Sequence, residues 1–427
     1  MSTTPAFHDF FRCWLRLGFI NFGGPARQTA LLHRELVATR GWVEQGGFLR
    51  LREVCALLPG PQGFLLAVCL GRELRGWRGG VWAGSLFVLP GLLLLLALSW
   101  LAAAWLGQGA AAGALRGFSA AATALAVQAL WGMGRRSLTH PLFWGFAAAS
   151  FLMGYGLRLK FTGIVIAAAL MGLWLAGLRP ELFAAAPQPE AQEPEGRAQG
   201  AGRGAWRRVA RLAALFAGLW LGVAGAAHLL LGPDSLLPRL VSVSVRAGLF
   251  AFGGAWGVLA SLADMGQRLG WVSQAQLAPG LGLAAMVPGP LSLVAGQVGF
   301  VAGWTHPGAL PLLAAGLLGG LLAAFGLLLP GLFIALAAAP HAATLAAHPR
   351  ARAAATGIGA ALVGVVLKLC VIFATATFLP AGLAGGVDFF ALALALLCGL
   401  ALWRVNVGAH VLALVCGALG IAWTLLA

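Results

Sequence analysis

Apolar residues run along this chain in long blocks, and the interruptions between them repeat. Blocks lie at about 53–71, 80–106, 117–134, 141–157 and 161–178. One more follows at 209–231, then others at about 278–303, 309–339, 353–378, 387–403 and 407–426. Stretches of about 20 apolar residues with few charges have the length to cross a bilayer core as helices. In lipid the helix satisfies its own backbone groups, so helices are the predicted form throughout. Two shorter blocks, 7–24 and 240–257, end in Gly-Gly and are too broken for ordinary spans. Each reads as a half-helix or re-entrant element, because glycine ends a helix and Pro25 blocks its continuation. Residues 26–52 are arginine-rich and amphipathic, and Pro59-Gly60-Pro61 interrupts the block after them. Pro90 and Pro330 fall inside long blocks and read as simple kinks.

The interruptions belong to a motif present twice. Arg16 begins R-L-G-F-I-N-F-G-G, followed by Glu35, G-W-V at 41–43 and L-P-G-P at 58–61. Arg246 begins R-A-G-L-F-A-F-G-G, followed by Asp264, G-W-V at 270–272 and V-P-G-P at 287–290. The second copy stands 230 residues on as far as Gly254 and 229 thereafter, so a one-residue gap aligns them. This is a tandem duplication. The predicted organisation is a first repeat at 1–178, a hydrophilic cytoplasmic linker at 179–208, a connecting helix at 209–231 and a second repeat at 240–427. The linker holds Pro187, Pro189, Pro194, Glu190, Glu193 and Glu195, then Arg203, Arg207 and Arg208, a composition that needs no fold. If each repeat crosses an even number of times, the added helix turns the second copy upside down; if the short blocks do not cross, each repeat is odd and the copies stay parallel. Inverted repeats meeting at broken helices are a transporter arrangement. The fold expected is an all-α polytopic membrane protein of two homologous, inverted repeats.

Composition sharpens the class. The chain has 427 residues, of which 60% are hydrophobic and 9% charged, against about 45–50% and 25% in soluble domains. Its net charge of +16 rests on arginine, since Lys160 and Lys368 are its two lysines. Placed between apolar blocks, these arginines read as loop anchors and not as a nucleic-acid surface. Asp9, Arg12 and Arg16 in the first block argue against a cleaved leader. The six cysteines have no metal-ligand spacing and read as buried small hydrophobes. No P-loop, nucleophile elbow or H-E-x-x-H occurs, so no catalytic residue, cofactor or metal is expected.

Breaks repeated at fixed spacing in both halves are the candidate chemistry. Gly23, Gly24, Gly253, Gly254, Gly60 and Gly289, flanked by Pro25, Pro59, Pro61, Pro288 and Pro290, free backbone groups from helical pairing. Unwound N–H groups and half-helix N-termini carry partial positive charge and suit an anion. Gln62, directly after the first Pro-Gly-Pro, joins that set. Arg16 and Arg246 hold matched places seven residues before the first glycine of each pair. An arginine at an apolar segment is costly, and its planar fork suits a tetrahedral oxyanion. Glu35 and Asp264 are matched acids in an acid-poor chain, able to hold a coupling proton or to pair with an arginine. Asp388 and Lys368 have no ionisable match in the first half and rank lower. The G-W-V tripeptides read as setting an amphipathic helix at the interface, where tryptophan suits the headgroup level.

These motifs resemble the chromate ion transporter family. The resemblance rests on Phe22, Gly23, Gly24 and Pro25, on Glu35 and Trp42, and on Pro59, Gly60 and Pro61. It continues through Phe252, Gly253, Gly254, Trp271, Pro288, Gly289 and Pro290. It implies a full-length, two-repeat secondary transporter of the bacterial inner membrane that exports chromate on the proton motive force. The partners it implies are the dianion, a proton and the bilayer, with a homodimer left open. Ala56 and Ala285 depart from the polar residue that the family often has three places before Pro-Gly-Pro, and Ala255 replaces its usual glycine. Those departures keep sulfate or another anion open as cargo. A non-transporting membrane scaffold or enzyme is the third reading, against which the duplicated breaks argue.

Overall fold

A computed structural model describes residues 5–104, 109–183, 203–232, 235–382, 385–405 and 407–426. Among the described residues the regular elements are all helical. The first half holds α1 (Phe7–Ile20), α2 (Pro25–His33) with a wide π-helical turn to Thr39, and α3 (Gln45–Leu57). Then come α4 (Gln62–Ala104), α5 (Gly109–Ser137), α6 (Pro141–Phe151) and α7 (Phe161–Leu178). After α8 (Arg203–Leu231) the second half has α9 (Leu236–Leu249), α10 (Ala255–Arg268), α11 (Gln274–Met286), α12 (Val294–Thr305) and α13 (Leu312–Ala338). It ends with α14 (Ala342–Ala347), α15 (Pro349–Phe378), α16 (Phe389–Arg404) and α17 (Ala409–Leu426). Starts follow local chemistry. Pro25, Pro141 and Pro349 occupy first-turn positions where a missing N–H costs nothing, and Ser273 with Gln276 forms a reciprocal cap on α11.

Seven stretches among the described residues are long and apolar enough to cross a membrane. They are α4, α5, α7, Trp206–Leu231 of α8, Leu312–Leu345, α15 and α17. Shorter apolar helices lie in α11, in α12 and in α16. The chain is therefore an all-α polytopic membrane protein of two repeats with broken helices.

Three sequence expectations need correction. The block at 53–71 is two helices, α3 and the first arm of α4, and α4 continues through Pro90 as the block at 80–106. Its bend falls at Arg75–Gly76, where Gly76 has φ 66°. The G-W-V tripeptides are themselves turns, lying between one helix end and the residue that caps α3 or α11. Gly41 and Gly270 sit at φ 61° and 69°, and the N–H groups of Trp42 and Trp271 turn back to the carbonyls of Leu36 and Gly266 at 2.9 Å. A left-handed glycine after the last turn is a helix stop. Pro90 and Pro330, thirdly, do more than kink. The ring of Pro90 and the Leu86 carbonyl that it leaves without a donor receive Gly18 of α1. Gly248 of α9 meets Pro330 of α13 and the Leu327 carbonyl, the one next to the Gly326 carbonyl that this proline frees. Of the hydrophilic stretch at 179–208, residues 184–202 lie outside the described residues, and α8 starts at Arg203, ahead of the expected 209.

The two halves interlock. α16 and α17 of the second half lie on α5 of the first, while α6 and α7 of the first lie on α15 of the second. Glycine lets these backbones approach: Gly113 and Gly117 meet the carbonyls of Gly420 and Cys416, and Gly357 meets that of Ala168. The matched helices α5 and α15 run antiparallel, with Ser137 beside Gly359 and Thr123 Oγ1 3.2 Å from Thr377 Oγ1. The second arm of α4 and α13 do the same, Gly80 facing Leu336 and Leu96 facing Gly320. Gly117→Val is expected to lower the thermal midpoint of the purified protein, since overfilling a packed interior costs about 1–3 kcal/mol. Gly145→Val, at an exposed position with open space around it, is the control that should not move.

Candidate functional site

Two kinds of break interrupt the short helices, and each occurs in both halves. In the first kind α1 stops at Ile20, the chain turns through Asn21–Gly24 with Gly23 at φ 104°, and Pro25 opens α2. Its twin runs from Phe250 to Gly254, with Gly253 and Gly254 at φ 74° and 64° before α10. In the second kind α3 ends, Leu58 is extended, Gly60 adopts φ 133° and α4 opens at Gln62. Its twin has Val287 extended and Gly289 at φ 125°, then a tight turn over Leu291–Leu293 into α12.

The breaks meet crosswise. Gly60 N–H donates to the Ala251 carbonyl at 3.1 Å, so the Pro-Gly-Pro break of the first half joins the Gly-Gly break of the second. Gly289 N–H donates to the Asn21 carbonyl at 3.2 Å, which joins the other two. Asn21 and Ala251 are equivalent positions, as are Gly60 and Gly289. Around this junction Asn21 Nδ2 donates to the Phe87 carbonyl at 2.8 Å and Gln28 Nε2 to the Asn21 carbonyl at 3.3 Å. Gly91 of α4 lies against the Pro288 carbonyl with no room for a Cβ.

Four helix starts surround the junction. The first backbone N–H groups to bond back are those of Gln28, Leu65, Val258 and Leu293, to the carbonyls of Gly24, Pro61, Gly254 and Pro290. Helix starts leave the N–H groups ahead of these without helical acceptors, and the ends carry partial positive charge. Half-buried Gln62 stands in the first turn of α4. Among the described residues, the buried Ser292 hydroxyl in the turn before α12 and the buried Asn21 Oδ1 have no hydrogen-bond partner. The arrangement offers an anion backbone donors from two pairs of helix ends in a water-poor place, where such donors are strong.

The charged candidates flank the junction unequally. Glu35, 10% exposed at its side chain, accepts from Arg40 Nε at 2.9 Å and lies 3.8 Å from Arg16 Nη1. Arg16 itself is 65% exposed. Its twin Arg246 lies on the exposed face of α9, and no carboxylate pairs with it among the described residues. Asp264 accepts from Lys368 Nζ at 2.6 Å and from Phe161 N–H at 2.9 Å. The matched acids thus keep matched positions and change partners: arginines of the same half for Glu35, a lysine of α15 for Asp264. Reading the sequence ranked Lys368 and Asp388 low and passed over Arg116, Asn21 and Gln28. A lysine in a chain otherwise built with arginine was the available signal for Lys368. Asn21 stood inside the motif itself.

Comparison with known proteins decides the family. The chromate transporter family matches residues 8–173 and 238–421, one match on each half. The chain belongs to the chromate transporter family. A chromate transport protein of Pseudomonas aeruginosa is 30% identical over 423 residues, covering 97% of this chain and 92% of that protein. One from Cupriavidus metallidurans is 24% identical over 365 residues, covering 84% and 81%. No solved structure matches. With bacterial relatives and seven apolar helices, this family member is a multi-pass bacterial membrane protein. Both family matches contain the two breaks of their half, so the crossed junction is built from the segments that define the family.

Proposed function

We propose that this chain exports chromate, a tetrahedral dianion, across the bacterial inner membrane as an inverted-repeat secondary transporter driven by the proton motive force. The observation that carries the reading is the crossed pair of hydrogen bonds, Gly60 to Ala251 and Gly289 to Asn21. It makes one centre of four breaks contributed equally by both repeats, as binding at a repeat interface requires. The dianion is bound there by N–H groups of the helix starts, with Arg16 and Arg246 drawing it in. Glu35 or Asp264, both held in ion pairs, exchanges a proton as the anion leaves.

Inversion of the repeats is supported by the antiparallel course of α5 with α15 and of α4 with α13, since helices related by an axis in the membrane plane run oppositely. Residues 1–178 and 240–427 are then the repeats, and the helix at 209–231 supplies the odd crossing. Arginine distribution supports the orientation. Arg72, Arg75 and Arg78 at the bend of α4 lie at one end of the bundle, where Arg75 donates to the Pro5 carbonyl. Arg135 and Arg136 at the end of α5, Arg207, Arg208 and Arg211 at the start of α8, and Arg350 and Arg352 at the start of α15 share that end. Arg116 and Arg239 mark the other, toward which Arg158 and Lys160 at the start of α7, and Arg268 bonded to Arg158, also lie. The arginine-rich end, with the 179–208 linker, faces the cytoplasm by the positive-inside rule.

The test is uptake of radiolabelled chromate into everted membrane vesicles energised by a respiratory substrate, with sulfate as competitor. Uncoupler-sensitive uptake is expected, and so is its loss in the Arg16→Ala/Arg246→Ala double variant at equal abundance. Uptake of sulfate alone would transfer the reading to that dianion, in keeping with Ala56 and Ala285. Uptake of neither would end the carrier reading.

A further inference from the structure

Two cavities sit at opposite ends of the antiparallel pair α5–α15, and the duplication relates them. The first, about 280 Å³, is lined by Leu57, Arg136, Ser137, Thr139, Arg352 and Thr356 among others. The second, about 230 Å³, is lined by Arg116, Ser119, Ala376, Thr377, Pro380 and Asp388. Within these helices the repeat offset is 240 residues, which pairs Gly117 with Gly357. The same offset carries Ser137 to Thr377, Arg136 to Ala376 and Arg116 to Thr356, each residue into the partner cavity. They are one pocket used twice.

Their charges differ. In the second pocket Arg116 is neutralised, its Nε donating to Asp388 Oδ2 at 2.5 Å, and the Asp388 side chain is 6% exposed. Burial pushes that carboxyl upward, but the Arg116 hydrogen bond and the Ala391 N–H outweigh it and hold it below the usual carboxylate range. In the first pocket Arg136 and Arg352 face one space, and among the described residues no carboxylate pairs with either. Arg352 stands one turn into α15, near a helix start that disfavours cations. Two guanidinium groups and a positive helix end around one cavity repel each other until an anion joins them. The hydroxyls of Ser137 and Thr139 line it as further donors, whereas that of Thr356 is spent on the Arg352 carbonyl at 2.9 Å. Leu57, the last residue of α3, also lines the pocket, so it opens beside the first Pro-Gly-Pro break.

We propose that the Arg136–Arg352 pocket is a loading site for a tetrahedral oxyanion, and that its twin is held shut to such ions by the Arg116–Asp388 pair. The inference rests on the carrier reading for its purpose but not for its chemistry. A free dianion and a lipid phosphate headgroup share that chemistry. Paired arginines grip either through parallel N–H donors.

Binding of radiolabelled sulfate and of chromate to the purified full chain in nanodiscs tests it without transport. In zwitterionic lipid, Arg136→Gln/Arg352→Gln is expected to lose about a hundredfold in affinity, as two lost charge-assisted contacts would give. Arg350→Gln, which removes an exposed charge from the same helix end, should change little. Asp388→Asn, which keeps a capping oxygen for Ala391 N–H, is expected to add one bound ion per chain to the parent stoichiometry by freeing Arg116. Loss of sulfate binding on adding phosphatidylglycerol would identify the headgroup as the occupant; binding indifferent to that lipid would identify the free ion. Unchanged affinity in the double glutamine variant overturns the site. A chain that binds sulfate here yet moves neither dianion in vesicles would sink the carrier reading and leave the pocket standing.

Discussion

Gly289→Ala is expected to reduce transport about five- to hundredfold in vesicles while the protein still reaches the membrane. Gly289 sits at φ 125°, outside what a side-chain-bearing residue adopts without strain, and an added Cβ would stand 2.8 Å from Leu293 Cδ1. Holding a residue in such a conformation costs about 1–3 kcal/mol, and each 1.4 kcal/mol or so is a factor of ten. The chain can relieve the strain by rotating the Val287–Pro290 break. That rotation withdraws Gly289 N–H from the Asn21 carbonyl and opens one of the two crossed junctions. Gly60→Ala should behave alike, since Gly60 has φ 133° and Leu65 crowds its Cβ position at 3.1 Å. Gly24→Ala is the contrast: φ is −77° there and nothing lies within 4 Å, so near-normal uptake is expected. If Gly24→Ala proved as damaging as Gly289→Ala, glycine at the breaks would be needed for room around the ion. Backbone conformation at the junction would then not be the cause.

The repeat, the helical class and the breaks were legible in the sequence because each depends on local composition. An apolar block reports its own partition into lipid, and Gly-Gly or Pro-Gly-Pro reports a stop wherever it stands. What the blocks could not report was how the halves meet. Nothing near Gly60 in sequence names Ala251 as its acceptor, nor does anything near Gly117 name Cys416. The partners of the charged residues were hidden for the same reason. Asp264 finds Lys368 across 104 positions of the second repeat, while Arg116 finds Asp388 across 272 and so is paired by the interlocking of the two repeats. Glu35 was easier, because Arg40 stands five residues away, one wide helical turn along. Pro90 and Pro330 misled for a further reason. A proline in a span signals a missing donor, but only the neighbouring helix shows whether a glycine has been placed against it.

Lys368→Met is expected to be the most destabilising single charge removal in the chain. Asp264 and Lys368 are 13% and 14% exposed at their side chains, and their contact is 2.6 Å. Removing one partner of a buried pair leaves the other charge uncompensated and costs about 3–5 kcal/mol. The carboxylate would keep Phe161 N–H as its remaining donor here. That contact lies at the start of α7, so the loss loosens α10, α7 and α15 together. The pair Asp264→Asn/Lys368→Met should recover most of the loss, because two neutral groups of similar size leave no buried charge uncompensated. Thermal midpoints of the three variants in one detergent check this, and equal losses in the single and double variants would show that packing, not charge, holds the contact. Glu35→Gln should cost far less, since Arg40 and Arg16 keep partial contact with water and exposed pairs contribute about 0–1 kcal/mol. The recovered double variant then separates structure from coupling. If Asp264 carries the proton, its chromate uptake should persist down a chromate gradient and no longer respond to an uncoupler. If Glu35 carries it, the same variant should stay uncoupler-sensitive and Glu35→Gln should not.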